Sequence, residues 1–157
     1  MKTIIVLITL ILITFNVQAT DTLRVAQDGK VTAFMLGTSS SEFENLFTAN
    51  FEDQSSTEVP RPAFLSNKSE VGAKLDLGTH KAANQLVLVT QVLDTGHWFY
   101  SIDNFNEDKD RHFIVDQIYM EDGTPALIVR FEETLGLGDA DYNDQVVLLV
   151  NVIVVKN

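Results

Sequence analysis

The residues best equipped for chemistry lie in one stretch, Phe131-Glu132-Glu133-Thr134-Leu135-Gly136-Leu137-Gly138-Asp139-Ala140-Asp141-Tyr142-Asn143-Asp144. Calcium takes about six to eight hard oxygen ligands, and Asp139, Asp141 and Asn143 at alternate positions can turn their oxygens towards one ion. Gly136 and Gly138 let the backbone fold tightly around it. Asp144 and Glu132 complete the expected shell, so the expected metal ligands are Glu132, Asp139, Asp141, Asn143 and Asp144, and the expected cofactor is Ca2+. The stretch starts like an EF-hand loop, but counted from Asp139 its sixth position is Asp144 rather than Gly, its twelfth is Val150 rather than Glu, and a strand-like run follows. It is therefore not an EF-hand. The competing account is a solvated connection whose carboxylates only make Asx turns, although acids converging without a cation repel one another.

A second acidic run, Asp103-Asn104-Phe105-Asn106-Glu107-Asp108-Lys109-Asp110, reads first as a solvated turn. If strand order brings the two loops to one end of a sandwich, Asp103 or Asn106 is expected to meet the Asp139 loop. Signs of an enzyme are missing: the chain has no His-Glu-x-x-His helix, no Gly-x-Ser-x-Gly elbow and no phosphate-cradling glycine loop. Glu132 and Glu133 are adjacent at a strand end and should point to opposite faces, which makes them a poor catalytic pair. His80, His97 and His112 are scattered, and they are read as surface or half-buried residues without a chemical role. Trp98, Phe99 and Tyr100 precede the second acidic run and offer rings of the kind that stack on sugars. Core packing is the expected fate of Trp98 and Tyr100, which share one face of a strand.

These loops must be carried by strands. Leu23–Val25 and Lys30–Leu36 are short strand-like runs, and Asp28-Gly29 between them predicts a tight hairpin. Ser41-Glu42-Phe43-Glu44 offers a capping box ahead of Phe43, Leu46 and Phe47 at helical spacing, which predicts one short helix over Glu42–Ala49. Glu52–Ser69 is polar and carries Pro60 and Pro62, as an irregular loop does. From Val71 the period becomes two, and Leu86–Leu93, His97–Ile102, Arg111–Met120, Thr124–Phe131 and Asp144–Val155 are all strand-like, bounded by Gly, Asn or Asp clusters. Glu121-Asp122-Gly123 predicts a second hairpin. The last run is apolar on both faces, so it is central or lies at an interface. The expected fold is all-β, an antiparallel β-sandwich with one short helix.

The chain has 157 residues, 22 Asp and Glu against 11 Lys and Arg, and no cysteine. Met1–Ala19 has the layout of a secretory signal peptide: a basic Lys2, an apolar run from Ile4 to Phe15, and the small-residue ending Val17-Gln18-Ala19. Cleavage after Ala19 is expected, leaving residues 20–157 as a single sandwich domain that is secreted, at the cell surface or periplasmic. The apolar run is shorter than the ~20 residues that span a bilayer, and no later stretch is a transmembrane candidate. The acidic excess argues against nucleic acid, which needs clustered Lys and Arg. Without cysteine there are no disulfide staples, thiolate metal sites or lipid-modified N-terminus.

The two acidic stretches together resemble the bacterial extracellular domain of unknown function numbered 4114, found in large surface adhesins and other exported proteins. That family carries Phe-Glu-Asp, a Gly-rich step, then Asp-x-Asp-Tyr/Phe-Asn-Asp leading into an apolar strand. Here these are Phe131-Glu132-Glu133, Gly136-Leu137-Gly138 and Asp139-Ala140-Asp141-Tyr142-Asn143-Asp144-Gln145-Val146-Val147. Asn106-Glu107-Asp108-Lys109-Asp110-Arg111-His112 looks like its upstream Asn-x-Asp-Gly-x-x-His step. The likeness covers about Gly96 to Val150, with Glu133 where Asp is usual, Leu137 where Gly is usual and Lys109 where Gly is usual. It implies a β-rich, calcium-associated module. The expected function is thus a calcium-binding module for extracellular surface interaction or adhesion, with carbohydrate as the expected ligand class. The alternative is a matrix or assembly subunit with a purely structural calcium, self-associating through a strand edge; a glycan-active enzyme ranks below both.

Overall fold

The computed structural model describes residues 21–39, 41–52 and 64–156. The predicted signal peptide and most of the proline-bearing loop lie outside the described residues. Among the described residues eleven strands form two antiparallel sheets. The first has the order β11 (Val152–Val155), β1 (Thr22–Val25), β6 (Gln85–Val92), β3 (Asn45–Phe51), β4 (Leu65–Ser66), with β7 (Trp98–Tyr100) also paired to β6. The second has the order β5 (Lys74–His80), β2 (Gly29–Gly37), β10 (Gln145–Val150), β9 (Pro125–Phe131), β8 (Phe113–Tyr119). The sheets pack face to face as an all-β sandwich around one core in which Met35, Phe47, Leu88, Phe99, Leu127, Phe131 and Leu149 are fully buried. Burying each such side chain is worth about 1.5–3 kcal/mol. No helix among the described residues is long and apolar enough to cross a membrane.

Two local expectations give way to tertiary pairing. The helix predicted over 42–49 is instead strand β3, which pairs with β6 along its whole length, from Asn45↔Val92 to Phe51↔Leu86. Asn45, Phe47, Ala49 and Phe51 alternate inwards and are buried, so the period-two pattern wins over a helical spacing that rested on three residues. Ser41 does not cap a helix; its Oγ lies 2.8 Å from the Phe43 carbonyl and 2.7 Å from Glu133 Oε2, two acceptors for its one proton.

The Asp28-Gly29 hairpin is also absent, because β1 and β2 belong to different sheets. Asp28 accepts from the Ala82 amide and Lys81 Nζ. The chain passes from the first sheet to the second here, and it returns at Asn151, which divides the apolar C-terminal run into β10 and β11 and adopts φ 69°. The two crossings hold each other, since Asn151 accepts from the Gln27 amide and donates to the Gln27 and Lys30 carbonyls. β10 is central, with β2 and β9 on either side; Val147 and Leu149 are buried on one face, and Val146, Leu148 and Val150 on the other are half-buried. By contrast Glu121-Asp122-Gly123 does turn β8 into β9, with Gly123 at φ 81°.

Candidate metal centre

Phe131 at the end of β9 and Gln145 at the start of β10 are register partners, so residues 132–144 form a long excursion whose two ends are fixed side by side. The excursion is wound unusually tightly. Gly136, Leu137, Gly138, Ala140 and Tyr142 have φ of 72°, 66°, 46°, 56° and 55°. A side chain in the left-handed region carries a strain of about 1–2 kcal/mol, and three of these five residues are not glycine. Alternation of left-handed residues with Asp139, Asp141 and Asn143 closes successive Asx turns: the Asp141 amide donates to Asp139 Oδ1 at 3.4 Å and the Asn143 amide to Asp141 Oδ1 at 3.1 Å. Gly138 favours glycine, because φ is 46° and a Cβ there would press at 3.1 Å on both Glu132 Oε1 and Thr134 Cβ.

The winding brings Glu132, Asp139 and Asp141 together, each with a carboxylate oxygen within 4.8 Å of the others. Asp139 and Asp141 are exposed, whereas Glu132 is only 2% exposed and its Oε2 has no hydrogen-bond partner. A buried carboxylate with one partnerless oxygen, clustered with two more carboxylates, could be satisfied by a metal ion. The electrostatics agree. Burial first, and then the Asp144 and Asp139 carboxylates, push Glu132 up to about 7, against a smaller lowering by the Tyr142 and Thr134 amides. Burial likewise leads in pushing Asp144 up to about 6, helped by the Glu133 and Asp141 charges and opposed by hydrogen bonds with the Glu133 amide and the Glu132 carboxyl.

The five residues expected from the sequence therefore divide into two groups. Glu132, Asp139 and Asp141 converge. Asn143 donates to Asp141 Oδ2 at 2.5 Å, and its buried Oδ1 has no partner. Asp144 sits beneath the cluster: its Oδ2 accepts from the Glu133 amide at 2.8 Å and its carbonyl accepts from Thr38 Oγ1 at 2.6 Å. Glu133 points away from Glu132, as adjacent strand residues do. It is buried, and it accepts from Ser41 Oγ, the Glu42 and Phe43 amides and Asn45 Nδ2.

The second acidic loop does meet the first, through a residue the spacing did not single out. Asp108 Oδ2 accepts from the Gly136 amide at 2.8 Å and bonds His112 Nε2 at 2.9 Å; the other ring nitrogen of His112 faces the Glu132 carbonyl at 2.8 Å. Tyr142 adds a bond from its hydroxyl to the Arg111 carbonyl. Asn106 is fully buried, and it closes its own loop by bonding Tyr100 and the Asp110 carbonyl. Asp103 faces Arg111 Nε at 3.5 Å. The i, i+4 spacing of Asp108 and His112 was the available signal, and it was hidden because His112 is wholly inside the protein rather than near the surface as expected.

The aromatic strand divides against the core expectation for Trp98. Phe99 is the core residue, packed on His112 and Phe131, whereas Trp98 is 42% exposed and Tyr100 half-buried. Trp98 lies 6.4 Å from Phe64 and Tyr100 6.0 Å from Phe105, ring centre to ring centre. No protein-family model matches the chain, and no curated protein or solved structure matches it.

Proposed function

We propose that the protein is a secreted β-sandwich module that binds calcium through Glu132, Asp139 and Asp141, with Asn143 and Asp144 completing or bracing the shell, and that it serves in extracellular surface interaction. The observation that carries this reading is the buried Glu132 carboxylate, whose Oε2 meets no partner and which shares a cluster with the Asp139 and Asp141 carboxylates, one oxygen of each lying within 4.8 Å of the others. The strained winding of the loop supports it, since left-handed non-glycine residues persist where the surroundings demand them. The resemblance of residues 131–147 to the adhesin-associated extracellular domain points to the same ion. Carbohydrate is the proposed ligand class, resting on Trp98, Tyr100 and the exposed Phe105 along one strand and the turn that follows. The assembly reading rests on the apolar C-terminal run, of which β10 lies inside its sheet and β11 is an end strand of the other.

The test is thermal unfolding of the purified protein in chelator and in calcium, beside an Asp139→Ala/Asp141→Ala variant. A site with a dissociation constant near ~0.1 mM gains about 2.7 kcal/mol at ~10 mM ion, a rise of several degrees. The parent melt should rise and the variant melt should stay still. Identical melts throughout remove the metal from this reading. Glycan-array binding with and without chelator, repeated with Trp98→Ala, then tests the ligand class.

A further inference from the structure

An unpaired strand edge offers a row of amides and carbonyls to any extended chain, and folded proteins blunt such edges with short strands, charges, bulges or a covering loop. Among the described residues five strands lie at the end or off the path of a sheet: β4, β5, β7, β8 and β11. Four are blunted. β4 has two residues. β5 carries the exposed Lys74 and Asp76, and its register with β2 shifts between Lys30 and Thr32. On β7 the outward amide and carbonyl of Tyr100 are both taken by the Asn106 side chain, and on β11 Gln117 Oε1 accepts from the Val154 amide.

β8 has none of these devices. Its seven residues keep an unbroken register with β9, from Phe113↔Phe131 to Tyr119↔Pro125. The bonds that bracket this ladder run from the Glu132 amide to the His112 carbonyl and from the Met120 amide to the Thr124 carbonyl, so the even-numbered residues bond towards β9. Alternation then turns the amides and carbonyls of Phe113, Val115, Gln117 and Tyr119 away from it, and among the described residues these groups have no backbone partner. β8 holds no lysine and no proline, and its one charge, Asp116, is bound to Arg130 of β9 at 2.6 Å.

We infer that β8 is a self-association edge, through which two copies of the chain pair antiparallel about a twofold axis and join their five-stranded sheets into one continuous sheet. A second copy is the fitting occupant because it brings the same open edge, and one contact then closes both. A single alignment engages all four outward residues of each chain. It sets Tyr119, 61% exposed in the lone chain, opposite Phe113 of the second copy, and Val115 opposite Gln117 of the second copy. Cross-strand pairs of an aromatic with an aromatic favour such a register. The two Asp116 carboxylates meet at the axis, each already bound to its own Arg130, so this contact is the least favourable and the pairing tightens with salt. The edge does not involve the Glu132 cluster, so it stands apart from the calcium reading.

The test is sedimentation equilibrium of the purified protein from micromolar to millimolar concentration, in chelator and again in calcium, with amide hydrogen exchange measured at both ends of that range. A monomer–dimer equilibrium should appear in both conditions. The amides of Phe113, Val115, Gln117 and Tyr119 should exchange freely in dilute solution and at least tenfold more slowly in concentrated solution, while those of Ile114, Asp116 and Ile118 stay protected throughout. Tyr119→Pro removes an outward amide that the ladder with β9 does not use, together with the ring opposite Phe113, and at this exposed end of the strand the fold tolerates it. It should raise the dimer dissociation constant at least tenfold. A protein that stays monomeric at millimolar concentration overturns the inference. So does a dimer whose outward β8 amides exchange as freely as in dilute solution, or one that a folded Tyr119→Pro variant forms with undiminished affinity.

Discussion

The two acidic loops have much the same composition and opposite physics. Around Asp108 the carboxylate oxygens are met: the Gly136 and Asp110 amides and His112 hold that group below the usual carboxylate range although burial pushes the other way. Around Glu132 they are met only in part, since Oε2 has no partner, and burial together with the neighbouring carboxylates raises both Glu132 and Asp144. The Asp108 carboxylate is therefore met by the protein's own donors, while the Glu132 cluster favours a proton or a cation. A count of acids does not separate the two. The supply of donors to each oxygen does.

The comparison is broken most severely at Asp108. Asp108→Ala removes the side-chain partner of a fully buried imidazole and the acceptor of the Gly136 amide, and chemical denaturation should show a loss of about 3 kcal/mol. Calcium should recover only part of it, because the damage lies outside the cluster. Gly138→Ala comes next. At φ 46° and ψ −115°, with Glu132 Oε1 in the path of a Cβ, it should lose about 1–2 kcal/mol and weaken calcium binding measured by titration.

Glu132→Gln should act in the opposite sense. It removes a like charge from a site lacking a cation, so at pH 8 in chelator the variant should be more stable by about 1 kcal/mol and should lose its response to calcium. The pH profile follows from the same sign. Glu132 and Asp144 are raised above ordinary values of 4.5 and 3.8 to about 7 and about 6, so the folded state holds protons that the unfolded chain releases. Their contribution to stability is complete below about pH 4 and is lost as pH rises through 6 to 7. Melts in chelator should thus fall across this window and flatten in Glu132→Gln, while the calcium-induced rise should grow with pH. Asp108 works the other way: its lowered carboxyl contributes stability above its ordinary value that is lost in acid. The smallest effect belongs to Asp103→Asn, which loosens a partly exposed pair with Arg111 and should change stability by less than about 0.5 kcal/mol.

Much of this architecture was legible in the chain. Alternating patterns from Val71 onwards and Gly123 in its turn are local properties, and they translated directly into β5 to β9 and the β8–β9 hairpin. What failed was local as well, but contested. Residues 42–49 match a helix and a strand, and β6 decided between them by offering a partner along the full length of β3. Asp28-Gly29 permits a hairpin, yet β1 found its partners in β11 and β6. Trp98 and Phe99 are neighbours of similar character, and only the register with β6 sets which of them faces the core.

The sequence by itself determined most of the strands, the tight glycine-bearing turn and the identity of the oxygen donors near residue 139, because backbone preference and residue chemistry act over a few neighbours. The tertiary structure alone decided which carboxylates converge and which are met. Glu132 and Asp141 are nine positions apart and meet only because β9 and β10 are bound side by side; Asp108 reaches Gly136 only because β8 joins the same sheet. Hydrogen bonding and charge act through space, and distances in space are fixed by strand order.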